Sequence, residues 1–182
     1  MTFAAKTTAK TNDTNSQPHN LVEQIRTARK EWRLIFDGVS DEDGDRRLGR
    51  MNSLGWFMAH LAWHEMINLA AFTGEMVAPE LNEIAAKDGP ATTPKLSEMR
   101  ELWEKVIVAA DAYLVTLSDE DMLGEMNYFG QAYPENVGAV LQRVNNHYFY
   151  HNGEAAAIRQ LLDQNFAEVM NEVGAMTYVS EK

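Results

Sequence analysis

Four of the five histidines in this 182-residue chain fall into two pairs, His60 with His64 and His147 with His151, each pair four residues apart. On a helix that spacing stacks both imidazoles on one face about 6 Å apart, within reach of one cation. Each pair is a candidate half of a metal site. A solitary buried His usually donates to a carbonyl and does nothing more, but two such pairs on separate segments point to metal binding. The chain has no Cys, so a metal must be held by His, Asp or Glu, and any thiol in the chemistry must come from outside. Other templates fail. Ferritin-like di-iron sites need Glu-x-x-His, yet Phe57, Leu61, Val144 and Tyr148 stand three residues before the four histidines. A zincin needs a second His after His64-Glu65, where Asn68 stands instead. Covalent haem attachment is impossible without Cys, which leaves only a non-covalent haem between helices as a competing cofactor. No GxSxG elbow, Walker loop or GxGxxG turn occurs.

Four helical patterns must position these residues. The first starts near Asn20 and carries Leu21, Ile25, Ala28, Trp32 and Ile35 on one face, stopping at Asp37-Gly38. A charged, Gly-containing stretch, SDEDGDRRLGR, reads as a loop. The second helix, about residues 50–72, is apolar on nearly every side. His60, His64, Glu65 and Asn68 in its middle argue against lipid, so it belongs in a bundle centre or at a subunit interface, and this apolar surplus predicts a homodimer. A short helical turn is expected around residues 80–87. The third helix is predicted to open with Thr93 as N-cap and Pro94 as its first residue, and to run through Leu96, Met99, Trp103, Val106, Ala110, Tyr113 and Leu117. Residues 118–133 break the period and read as a long loop lying on the bundle. The fourth helix is predicted from Pro134 to about Gln164, with His147 and His151 on the stripe that Val137, Val144, Ala155 and Ile158 assign to the core. An unpartnered imidazole there loses hydrogen bonds worth about 1–3 kcal/mol, so something must satisfy both. The stretch NFAEVMNEVGAM carries a weak pattern for one more short helix. The fold class is therefore all-α, a four-helix bundle with a long loop between helices three and four.

Residues 1–19 are too polar to offset the entropy of ordering them and are expected to form a flexible, disordered tail ahead of one helical domain at 20–182. That tail has no apolar core of a secretory signal, so a cytoplasmic location is expected. With 27 acidic residues against 16 Lys and Arg, the net charge of −11 repels phosphate backbones and anionic lipid. Nucleic acid and membranes are not expected partners.

The segment LGWFMAHLAWHE, followed 87 residues after His60 by HYFYHNGEAAAIRQLL, resembles the DinB-like (DinB/YfiT-like) superfamily of helical-bundle metalloenzymes over about residues 20–164. The resemblance implies one divalent ion held by a His of the second helix and an H-x-x-x-H of the fourth, with a coordination position left for water or substrate. Carried over, His60 matches the first ligand because Leu61 and Glu65 follow it, and His147 and His151 match the pair. Gly153-Glu154 fits the family's ending of that motif. His64 departs from the family pattern and stands as a further ligand, a supporting base or part of the helix-two surface. Glu65 and Glu154 are candidates to orient ligand imidazoles from behind. The aromatics Trp56, Trp63, Tyr128, Phe129, Tyr148 and Tyr150 are candidates for a pocket wall, and Arg46, Arg47 and Arg50 for steering an anionic substrate, although plain core is the commoner role of such aromatics and a solvated loop the commoner setting of such arginines. Zinc is the first choice of metal, with nickel or manganese as alternatives, because neutral nitrogen donors do not choose among them. The function implied is small-molecule stress or detoxification chemistry, as a metal-dependent hydrolase or as a transferase using a low-molecular-weight thiol. The alternative is a non-enzymatic binding or assembly module with a structural metal.

Overall fold

The computed structural model describes residues 18–128, 131–168 and 172–174. Four long helices, α1 (Asn20–Phe36), α3 (Leu54–Thr73), α5 (Leu96–Leu114) and α6 (Val137–Leu161), form the bundle. Two single-turn helices, α2 (Asp41–Asp45) and α4 (Leu81–Ala85), precede α3 and α5. Between α5 and α6 come a 3-10 turn, Asp121–Leu123, and an antiparallel hairpin of β1 (Glu125–Tyr128) and β2 (Gln131–Asn136). The architecture is the all-α bundle expected.

Local chemistry sets the helix ends. His19 Nδ1 accepts from the Leu21 N–H at the start of α1, Ser53 Oγ from the Trp56 N–H at the start of α3, and Asn136 Oδ1 from the Ala139 N–H at the start of α6. Each side chain satisfies a backbone donor that the helix leaves without an internal partner. Gly74, with φ at 75°, closes α3 in the left-handed conformation that glycine adopts without strain. Inside, α1 packs on α6 and α3 on α5, while α3 and α6 meet across the bundle. Trp32, Trp103 and Tyr148 fill the centre and are all but fully buried.

Several boundaries differ from those predicted, for identifiable reasons. The third long helix starts at Leu96, not at Thr93-Pro94, and ends at Leu114, short of Leu117. Asp41 of α2 accepts hydrogen bonds from the Ser97 N–H and Oγ at 2.7 and 2.9 Å, so the cap comes from a distant carboxylate. The segment before α5 lies against α3, where a Cβ on Gly55 would stand 2.1 Å from the Pro94 carbonyl oxygen. The fourth helix starts at Val137 and ends at Leu161. Pro134 belongs to β2, because residues 125–128 and 131–136 pair into the hairpin instead of forming a loose loop. The predicted loop after α1 contains α2, capped by Ser40 Oγ. The expected turn near residues 80–87 is α4. Of the C-terminal stretch expected to add a short helix, residues 165–168 and 172–174 are not helical and the remainder lies outside the described residues, as do positions 1–17 of the expected tail.

The apolar girth of α3 is covered within the chain by α2, α4, α5, α6 and β1. The surplus from which a homodimer was predicted is therefore spent on intrachain packing. No helix among the described residues is long and apolar enough to cross a membrane.

Candidate metal centre

His60 lies in the middle of α3, and His147 and His151 one turn apart on α6. Where those helices face each other, one ring nitrogen from each of the three lies within 4.8 Å of the other two, a group able to hold a metal ion. His60 and His151 are buried and His147 is half-buried. The outer nitrogens are already engaged. His60 Nδ1 donates to the Ala85 carbonyl at 2.8 Å, the last residue of α4. His151 Nδ1 donates to Glu154 Oε2 at 2.6 Å. In both rings Nε2 is then the unprotonated nitrogen, free to coordinate. The Nε2 atoms of His147 and His151 stand 2.7 Å apart, a separation at which two neutral rings must share a proton or a cation.

Aromatic rings brace the group. Trp56 and Trp63 stack on His60 with centroids at 4.5 and 5.5 Å, and Phe57 leans on His151 at 5.3 Å. Beside the trio opens a cleft of about 530 Å³ whose wall includes Trp63, Tyr128, Tyr133, Arg143 and Lys87. The hairpin supplies one side of it and α3 and α6 the other.

His64 sits in this wall with its ring centroid 3.8 Å from that of His147. Asn68 Nδ2 donates to the His64 carbonyl at 2.7 Å and lies 3.4 Å from its Nε2. Glu65 makes its hydrogen bonds with Arg29 and Tyr148, not with an imidazole, whereas Glu154 does hold His151. Of the predicted pocket aromatics, Trp63 and Tyr128 line the cleft, Trp56 stacks behind His60, Tyr148 is buried in the core, Tyr150 is exposed, and Phe129 lies outside the described residues. Arg46 pairs with Asp43, and Arg47 with the Ala91 carbonyl and Asn52; neither is in the cleft wall, nor is Arg50. The cleft cations are instead Lys87 and Arg143, which sequence reasoning passed over. The signal for Arg143 was available, since it precedes His147 by four residues.

Burial keeps the imidazoles neutral. It pushes His147 down to about 4, with His60 and Arg143 adding repulsion, and His151 to about 3, with His147 and His60 adding theirs. His64 falls to about 2, mainly by burial. His60 is lowered by burial against the opposing bond to Ala85. Glu154 is raised by burial. Neutral imidazole is the form that binds a metal. A stability consequence follows. Below about 6.5 an unfolded imidazole takes up a proton that its folded counterpart refuses, so the histidine contribution is complete above that pH and declines as pH falls toward the folded values of about 4 and lower. Each such ring adds a slope of up to about 1.4 kcal/mol per pH unit. The urea midpoint of metal-free protein is expected to drop steadily from pH 6.5 to 4.5; a flat midpoint over that range contradicts the burial of these rings.

Fold and site together define a helical-bundle protein with a candidate three-imidazole metal centre between two of its long helices. The chain belongs to the DinB superfamily, whose family model matches residues 24–155. Among solved structures it is similar to a DinB-like protein from Bacillus cereus ATCC 10987, with a TM-score of 0.59 at 17% identity, covering 81% of this chain and 93% of that one. At that identity the likeness speaks for the fold. A comparison with curated proteins finds no match.

Proposed function

We propose that the protein is a divalent-metal-dependent enzyme of small-molecule stress or detoxification chemistry, in which His60, His147 and His151 hold the ion. The observation that carries this reading is the convergence of three neutral imidazoles at the side of an open, aromatic-walled cleft. A purely structural metal gains nothing from such an opening, since structural sites are closed by a fourth protein ligand. A divalent ion there supplies Lewis acidity toward water or an exogenous thiol. Zinc is the first choice; nickel and manganese remain compatible with the donors.

The chain's own residues prepare the site. The Ala85 carbonyl and the Glu154 carboxylate fix the tautomers and tilt of His60 and His151. Trp56 and Trp63 keep water from the flanks of His60. His64, in the cleft wall with its ring centroid 3.8 Å from that of His147, is placed to contact a group bound there. With no Cys in the chain, a thiol nucleophile enters as a co-substrate, and a transferase branch depends on one.

Elemental analysis of the native protein and of His60→Ala tests the reading, followed by a screen of thiols against electrophiles and of hydrolysable esters and amides. About one divalent ion per chain in the native protein, lost in the variant along with turnover, is the expected result. Equal metal content in both proteins removes the site. A companion variant, Glu154→Gln, is expected to lower metal affinity by about 10- to 100-fold, the usual effect of removing a carboxylate behind a ligand imidazole. Competition against a chelating dye reads it, and an unchanged affinity shows that Glu154 orients nothing.

A further inference from the structure

The net charge of −11 makes most of the molecule repel anions, yet none of the residues lining the cleft is an Asp or Glu. Its fixed charges are Lys87, just after α4, and Arg143 on α6. Arg143 lies one helical turn, about 6 Å along the axis, from His147. It is held in place. Its Nη1 donates to Tyr133 Oη at 2.8 Å, its guanidinium lies 5.5 Å from the Tyr133 ring centroid, and Glu135 of β2 forms an ion pair with it. Its buried Nε has no hydrogen-bond partner among the described residues. An arginine fixed on both sides in this way costs little further entropy when it binds a carboxylate.

We infer that the cleft takes a small molecule carrying a carboxylate, bound by Arg143 with help from Lys87, while its reacting end meets the imidazole trio one turn away. This rests on the proposed function and names the substrate class of the same site. At the Arg143 end of the cleft, before any ion at the imidazoles is counted, two cations against the paired Glu135 leave a local charge of about +1, enough to hold a single carboxylate. The apolar part of such a molecule faces Trp63, Tyr128 and Ile67. At physiological salt the repulsion from the rest of the surface decays over about 8 Å, so the two cleft cations dominate at close range.

The test uses full-length, metal-free protein, so that a carboxylate cannot bind through a metal. Calorimetric titration compares phenylacetate with phenylacetamide, its neutral counterpart. Native protein is expected to prefer phenylacetate by at least about 10-fold, as a charge-assisted pair with arginine gives. Arg143→Gln brings the preference within about 2-fold, Arg143→Lys restores part of it, and Glu135→Gln increases it. Lys87→Gln, at an exposed position, lowers it by a few-fold and keeps the test decisive should Arg143→Gln fail to fold. Equal binding of both probes, binding of neither, or a preference that survives Arg143→Gln overturns the inference. Because no metal is present, a protein that shows the preference yet never retains an ion sinks the metal reading alone, and one that retains an ion without the preference sinks this inference alone.

Discussion

His147→Ala is expected to abolish stoichiometric metal binding while leaving the helical bundle folded. Complete zinc sites in small domains are worth about 10–16 kcal/mol, so one imaginable share per ligand is about 3 kcal/mol, and removing one of three imidazoles weakens binding by at least about 100-fold. The fold has little reason to fail, because His147 is half-buried at the cleft and its hydrogen-bonding contact is with His151 Nε2. Thermal melts separate the two effects. Saturating native protein at about 100 times the dissociation constant adds about 2.7 kcal/mol, or roughly 5–10 °C for a domain of this size. In His147→Ala the melting temperature without metal is expected within a few degrees of native, and the rise on adding metal is expected to vanish. Intrinsic fluorescence gives an independent readout, because Trp56 and Trp63 stack directly on His60 and a paramagnetic ion such as Ni²⁺ bound there quenches them. A metal-dependent rise that survives in the variant places the ion elsewhere.

What was legible in the sequence was whatever depends on local periodicity. The stripe from Leu21 to Ile35 and the histidine pairs at four-residue spacing mark helix faces directly, because residues one turn apart share a face wherever the helix goes. Features that depend on distant partners were not legible. The start of α5 moved because Asp41, 56 residues upstream of Ser97, caps it. The hairpin of residues 125–128 and 131–136 was hidden because its short strands include Pro134 and lack clean alternation, and cross-strand pairing supplies the order that local propensity does not. Glu65 shows the same limit at the site. Adjacent to His64 in sequence, it projects toward another element, since neighbouring residues on a helix point about 100° apart. Glu154, three residues after His151, shares its face and reaches it.

Glu65→Ala is expected to cost about 3–5 kcal/mol of stability, the penalty of leaving a buried charge without its partner. Arg29 and Glu65 are an ion pair with only 2% and 3% of their surface exposed. Around them, Arg29 Nη1 donates to Asp111 at 2.6 Å, Tyr148 Oη to Glu65 at 2.5 Å, and Trp103 Nε1 to Tyr148 Oη at 2.6 Å. Burial and the Glu65 charge hold the Tyr148 hydroxyl well above its ordinary range, so it stays a donor. The network thus joins α1, α3, α5 and α6, one group or more from each long helix. Removing Glu65 leaves a buried guanidinium whose remaining partner is the half-exposed Asp111, and that orphaned charge, more than the lost attraction, is the penalty. Replacing both members, as in Arg29→Met with Glu65→Leu, is accordingly expected to recover most of the stability in urea titrations. A loss under about 1 kcal/mol in the single variant removes the argument. The network also bears on the site, because Glu65 follows His64 and Tyr148 follows His147 on the two helices that bring the imidazoles together. Holding those neighbours in register holds the trio. In Glu65→Ala, measured below its melting temperature, apparent metal affinity is expected to fall by the fraction of molecules no longer in register, and to return in the double variant. A return of stability without a return of affinity separates packing from registry and assigns Glu65 a direct role at the imidazoles.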